Sequence, residues 1–583
     1  MIGKKVLTKI VLLLIVLFGG TILTFVYTNL SPVDAAEALA VRRYSRPTAE
    51  QIELVREELG LDKPILQQYG SWLWNALHGD FGNSYNTGRS IVEELTASIQ
   101  PTLIMAVLAL LFSTVICIPL GVLSASRKGG LADKSIYLFG IICMSLPNYW
   151  IGFMLLLAFA VYLPIFSIMG ADSLKDFVLP ALALAIPTSA GTIRVFRSSL
   201  LDGYNSDFVL YARARGVSEW KIANMVSRFA LPPLITMLAQ SFGFMIAGSS
   251  MVESVFSGSR FHVGDSIKRQ GYHNNQRVCI AHCRYLCLGQ FPCRLPEHIV
   301  ESSKPDGRKI MIRKIIHSPQ ALIGLAMMLI VFLVMVFAPF LAPNDPMQLN
   351  VAHSFAPPDT QYPLGTDELG RCVLSRLIYG ARESLSIALP TLLLLAIIST
   401  VIATLCAYLG GIVDRVFEVV SNIFMAFPPF LVAITLVGLF ESKVTSIILS
   451  IVIAMWVWNA RVVRTHVLRE RSQPYVITCR MSGCSELRIV FRHIIPNILP
   501  HLLVIYSTGL SSIIIMISSY AFLGLGLETG TAEWGAMFVN ANKLLFSHPE
   551  LLVYPGLCIL FAAAGFNLFG EALRDLCAPK EGS

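Results

Sequence analysis

Three groups of residues in this chain have types and spacings that chemistry could use. Residues 257–310 hold Cys279, Cys283, Cys287 and Cys293 interleaved with His262, His273, His282 and His298. Thiolates and imidazoles are the ligands of structural zinc sites. A second group is a scatter of soft side chains in apolar stretches: Met105, Cys117, Cys143, Met144, Met154, Met169, Cys406 and Met425. No charged residue or His joins them at ligand spacing. They read as packing residues, because buried Cys and Met behave as hydrophobes. The third group is a pair of basic segments, DFVLYARARGVSEWKIANMVSRFALPPLI (207–235) and PYVITCRMSGCSELRIVFRHIIPNILPHLL (474–503).

The chemistry of this third group would be mechanical, the docking of a partner protein. Phe208 stands eight residues before Gly216, and Tyr475 eight before Gly483. Pro232 follows the first Gly by sixteen residues and Pro500 the second by seventeen. A short helix, a Gly that permits a sharp turn, a second helix and a Pro where the chain re-enters the membrane predict a helix-turn-helix along its surface. Small residues such as Ala212 and Ala214 would let another protein's groove approach the backbone. The chain has no G-x-x-x-x-G-K-[ST] phosphate loop and shows no Ser-His-Asp or zinc-protease constellation. It therefore reads as a protein that is not an enzyme, with no catalytic residue, metal ligand or cofactor assigned.

The elements that must position these loops are membrane helices. Hydrophobic residues make up 55% of the 583 and charged residues 14%, with mean hydropathy +0.65. Soluble domains are about one quarter charged, so a soluble enzyme, a nucleic-acid binder and a disordered scaffold are excluded. The formal charge of +8 fits the concentration of Lys and Arg in cytoplasmic loops of membrane proteins. The first apolar run, Val6 to Thr28, follows Lys4 and Lys5 and reads as an uncleaved span with a cytoplasmic N-terminus. Further spans are expected near 100–124, 135–163, 178–196 and 231–256, then 319–341, 386–409, 416–439, 445–461, 499–523 and 551–573. Residues 29–98, with ten acids against six bases, suit the outer face and carry expected helices at Thr48–Leu61 and Pro64–Leu77. The second half repeats the plan, with an outer segment at 342–385. The basic loops fall between the fourth and fifth spans of each half, on the inner side by the positive-inside rule.

The two loops resemble the coupling loop, or EAA motif, of permease subunits in binding-protein-dependent ABC importers. That resemblance implies Tyr211, Ala212, Ala214 and Gly216 in the first loop (197–230), and Cys479, Met481 and Gly483 in the second (464–498), as the ATPase-coupling residues. Cys479 and Met481 replace the usual small residues. YPLGTDELGRCVLSRLIYGARESL (362–385) and AFLGLGLETGTAEWGAM (521–537) look like the second permease of dipeptide, oligopeptide and nickel importers, with Cys372 where an Asp is usual. LGLDKPILQQYGSWLWNALHGDFGNSY (59–85) and SLPNYWIGFMLLLAFAVYL (145–163) look like the first, and the wording is most similar to nickel-type members. The resemblance implies an all-α chain of two homologous bundles, 1–256 and 311–583, in a bacterial plasma membrane. It also implies separate ATPase subunits, either two copies or a heterodimer, an extracytoplasmic solute-binding protein, and nickel (as a chelate) as substrate, with di- or oligopeptides as the alternative. A secondary transporter, the rival class, would want ionisable residues within its spans, and these spans are nearly free of them.

Residues 257–310 break the pattern. They stand where the first bundle should carry its sixth helix, yet Arg277, Arg284 and Arg294 fall in the would-be span. Each would cost roughly 2.5–3.5 kcal/mol at a helix centre. Codons can be chosen for Gly271 onward that, shifted by one base, encode an apolar string long enough to span. This segment therefore reads as a frame-shifted junction between two permease genes rather than a metal site, giving about 5 + 6 membrane helices with the sixth of the first bundle lost or disrupted.

Overall fold

The computed structural model describes residues 2–30, 35–44, 46–84, 89–167, 173–256, 316–425, 443–527 and 530–577, with isolated positions between 426 and 442. The Cys- and His-rich junction lies outside the described residues. Helices account for nearly all regular structure, and the described residues contain only two isolated β-bridges. Eight described helices are long and apolar enough to cross a membrane.

In the first half, α1 (Ile2–Leu30) is followed by three outer helices, α2 (Ala35–Tyr44), α3 (Ala49–Glu58) and α4 (Ile65–Leu77). The N-terminus of α3 is fixed by a capping box between Thr48 and Gln51. α2 was not anticipated. Next come α5 (Ile91–Ser126), α6 (Leu131–Met144), α7 (Asn148–Leu156), α8 (Val178–Tyr204), α9 (Asp207–Ala214) and α10 (Glu219–Phe256). The expected single span at 135–163 is in fact two helices, α6 and the α7 segment ending at Tyr162, bent by 103°. Pro147 causes the break, because it disfavours helical backbone at Leu146 and supplies no N–H.

The second half contains α11 (Pro319–Leu341), α12 (Val373–Leu409), α13 (Gly411–Met425), α14 (Lys443–Arg471) and α15 (Pro474–Met481). It closes with α16 (Glu486–Phe522), α17 (Ala541–Ser547) and α18 (Glu550–Cys577). The α11–α18 crossing is tight: a Cβ on Gly324 would lie 2.6 Å from the backbone N of Phe569. By contrast, α1 packs on α13 of the other half, where Gly19 meets Ile423.

One hydrophobic core runs through both halves. Tyr149 of α7 stacks on Phe522 at 4.5 Å between ring centroids and meets the edge of Phe538 at 5.2 Å. Polar bonds reinforce that contact. Trp150 donates its indole N–H to the Leu552 carbonyl at 2.9 Å, and Asn567 donates to Ser145 at 2.9 Å. The spans also hold buried carboxylates whose partners lie far away in sequence. Glu253 in α10 accepts from Thr102 at 2.8 Å, and Glu571 in α18 pairs with Arg194. The two segments quoted from the second half meet as well: Arg376 donates to the Gly530 and Thr531 carbonyls at 3.0 and 3.1 Å, and Trp534 to the Leu377 carbonyl at 2.9 Å.

Candidate functional site

The two basic loops share one backbone design. α9 ends at Ala214, and Gly216 follows with φ +72°. The Gly216 N–H bonds the Arg213 carbonyl at 2.9 Å, and the Val217 N–H reaches back to Ala212 at 3.1 Å. In the second loop α15 ends at Met481, and Gly483 has φ +76°. Its N–H bonds Arg480 at 3.0 Å, and the Cys484 N–H reaches Cys479 at 3.1 Å. Both turns are helix C-caps of the Schellman type, with Gly at the left-handed position and a six-residue closing bond.

Side chains repeat the symmetry. Arg213 pairs with Glu219 at 3.1 Å across the first turn, and Arg480 with Glu486 at 3.4 Å across the second. The hydrogen bond to Glu219, then its charge, pushes the Arg213 guanidinium further above its ordinary range. One side of each turn is anchored inward, by Val209 with Ile222 and by Val476 with Ile489. The other side presents apolar groups to the exterior, with Leu210, Tyr211 and Trp220 (84% exposed) in the first loop and Ile477, Met481 (84%) and Leu487 in the second.

The predicted coupling residues therefore divide. Tyr211, Ala214, Gly216, Met481 and Gly483 are exposed. Ala212 is only 5% exposed and packs in the cluster of Val209, Ile222 and Val226. Its small size thus serves the loop's own packing, correcting the expectation that it opens the backbone to a partner. Cys479, its counterpart, is half-buried against the second cluster. The expected helix boundary at the prolines also shifts. α10 runs unbroken through Pro232 and Pro233 and α16 through Pro500, with a π-helical turn at Val490–Ile494 ahead of Pro496. Such a turn relaxes the bonding pattern that a proline interrupts.

Each loop hangs from an ion pair that sequence reading did not find. Arg197 grips Asp133 through two bonds of 2.7 Å, and Arg464 grips Asp414 at 2.6 and 2.7 Å. Asp133 also accepts from Ser124 and, at 2.8 Å, from the Gly129 N–H. Bidentate Arg–carboxylate geometry fixes orientation as well as distance, so each loop follows the helix at its base. Arg194, one turn earlier, pairs with Glu571 of the other half. Ser507 of α16 donates to the Phe566 carbonyl of α18 at 3.2 Å, while Phe522 and Leu552, at the far ends of these helices, meet the neighbouring Tyr149 and Trp150. α18 therefore returns toward the second loop, and the Arg194–Glu571 pair sets both loops on one side. Among the described residues no three His, Cys, Asp or Glu side chains gather as a metal site would need.

Two like bundles of apolar helices with matched surface loops on one side define a membrane permease. The family "Binding-protein-dependent transport system inner membrane component" matches residues 117–344 and again 387–582, its N-terminal companion matches 1–106, and the chain belongs to this family. Within it, the chain is an ABC importer permease of the nickel and dipeptide group. It is 34% identical over 237 residues to the nickel transport system permease protein NikC of Escherichia coli K12, covering 41% of this chain and 86% of that protein. It is 32% identical over 271 residues to the metal-staphylopine import system permease protein CntC of Staphylococcus aureus NCTC 8325, covering 46% and 94%. It is 34% identical over 266 residues to the dipeptide transport system permease protein DppC of Haemophilus influenzae, covering 45% and 90%.

Proposed function

We propose that the chain is a fused pair of permeases whose bundles, 1–256 and 311–583, form the translocation path for nickel carried as a chelate. The N-terminus and both loops face the cytoplasm of a bacterium, and a solute-binding protein delivers cargo to the opposite face. Two separate ATPase subunits hydrolyse ATP and dock on the loops at 197–230 and 464–498. The carrying observation is the duplicated turn, with the same Gly conformation, Arg–Glu clip and exposed apolar patch on one side of the molecule. A loop that only fixed topology would need none of these in register. The tethers Arg197–Asp133 and Arg464–Asp414 would pass loop movement to the spans, alternating outward and inward opening.

Uptake of radioactive nickel by a deletion strain complemented with this gene tests the substrate. Uptake of labelled dipeptide in place of nickel would favour the second reading, which the similarity to the dipeptide permease supports. Gly216→Leu and Gly483→Leu should each cut uptake while the protein still reaches the membrane. Unchanged transport in both variants would reject the coupling role. Sequencing the DNA between the codons of Phe256 and Met311 in independent isolates tests the joined-gene reading of 257–310.

A further inference from the structure

On the loop-bearing side, a cavity of about 280 Å³ opens between the two bundles. Lys134, Tyr137, Arg194 and Arg197 line it from α6 and α8, and Gln320 and Arg574 from α11 and α18. Four cations thus converge on a space built by both halves. Asp133 and Asp575 also line it, and Glu571 holds both Arg194 and Arg574. Several donors are left over once these pairs are made. Arg197 uses Nε and Nη2 on Asp133, leaving Nη1. Tyr137 accepts from Gln320 at 3.0 Å, so its own proton is uncommitted. Lys134 has no partner among the described residues. The neighbouring loop adds Arg127 and Lys128.

The other wall is apolar, formed by Ile136, Gly140, Ala190 and Ile193. A free inorganic anion would gain nothing from such a wall. A phosphodiester carrying acyl chains would use both surfaces, and basic clefts between spans suit lipid headgroups. We propose that this cavity binds the phosphate of an anionic phospholipid and thereby staples the two bundles together.

The test uses the purified full chain in lipid nanodiscs, with lipid retention read by native mass spectrometry and unfolding by thermal shift. Phosphatidylglycerol mixed into phosphatidylcholine should be retained and should raise the unfolding temperature. Lys134→Gln and Arg574→Gln should each weaken retention about fivefold, the effect of one basic residue near an anionic surface. Tyr137→Phe, which removes a single donor with little change of shape, should weaken it without loss of folding. Arg382→Gln, exposed on α12 away from the cavity, should have no effect. Equal losses in all four variants would mean diffuse surface attraction and overturn the site. Stabilisation by inorganic phosphate in pure phosphatidylcholine that matches phosphatidylglycerol would assign the cavity to free phosphate and overturn the lipid staple.

Discussion

Trp150 and Leu552, four hundred residues apart, are joined by an indole N–H···O=C bond of 2.9 Å. The bond ties the helix that restarts after Pro147 to the last helix of the other bundle. Gly556 makes room for it, since a Cβ there would sit 1.8 Å from the Trp150 indole nitrogen. Gly556→Ala should therefore expel the ring and lose both the bond and its packing. Removing such a buried aromatic contact costs about 3–5 kcal/mol, whereas Trp150→Phe, which keeps an aromatic ring but loses the hydrogen bond and part of the indole's packing, should cost about 1–2 kcal/mol. Thermal unfolding in detergent ranks the two, and the reverse order would deny Gly556 this role.

Nothing lies within 4 Å of where a Cβ would stand on Gly216 or Gly483. Their requirement is thus conformational, not steric, and left-handed backbone is tolerated best by Gly and then by Asn. Gly216→Asn and Gly483→Asn should retain most transport. The corresponding Val variants, costing about 1–2 kcal/mol at the turn, should lose several-fold more. Equal activity of Asn and Val variants in the uptake assay would contradict a role for the turn geometry.

Eight of the expected spans were legible because an apolar run of membrane length is a local signal, and α11 begins and ends where its hydropathy does. The apolar part of α1, Ile10–Val26, is shorter than such a run, and most of the span expected at 416–439 lies outside the described residues beyond Met425. The turns were legible for the same reason, since a Gly between two short amphipathic segments declares its backbone in place. Arg213–Glu219 and Arg480–Glu486 share a six-residue spacing that the sequence reading passed over, because only the fold shows that a Schellman turn brings such residues face to face. Arg194–Glu571 and Trp150–Leu552 had no sequence signal at all. Each joins elements whose proximity comes from packing one bundle on the other. Buried Glu253 was readable as a residue, but Thr102, which makes its burial tolerable, was not readable as its partner.

Cys372 occupies the N-cap of α12 and makes no side-chain cap bond. It is also the position at which the resemblance read from the sequence expects an Asp. An Asp there could accept from the open N–H groups of the first turn, and such caps are worth about 0.5–2 kcal/mol. Cys372→Asp should raise thermal stability by about 1 kcal/mol with transport unchanged. A lower unfolding temperature would mean that the buried site cannot accept the charge.

Ala212 and Ala214 stand two residues apart on α9 but face opposite ways, Ala212 into the cluster of Val209, Ile222 and Val226 and Ala214 outward. Enlarging each to Leu separates packing from docking. Ala212→Leu overfills a closed cluster, at a cost of about 1–3 kcal/mol, so the loop itself should loosen and become sensitive to limited proteolysis near Gly216. Ala214→Leu should leave unfolding and proteolysis unchanged, because it adds a side chain to an open surface. If that surface receives an ATPase, Ala214→Leu should nonetheless lower both ATPase co-purification and uptake. The second loop offers an independent check, since Met481 corresponds to Ala214 and is already large. A docking groove shaped to that side chain should bind less well to Met481→Ala, with the lost contact area read as weaker co-purification. Full co-purification and uptake in both Ala214→Leu and Met481→Ala would remove the outward face of these helices from the coupling surface and leave only the Gly turns and their tethers.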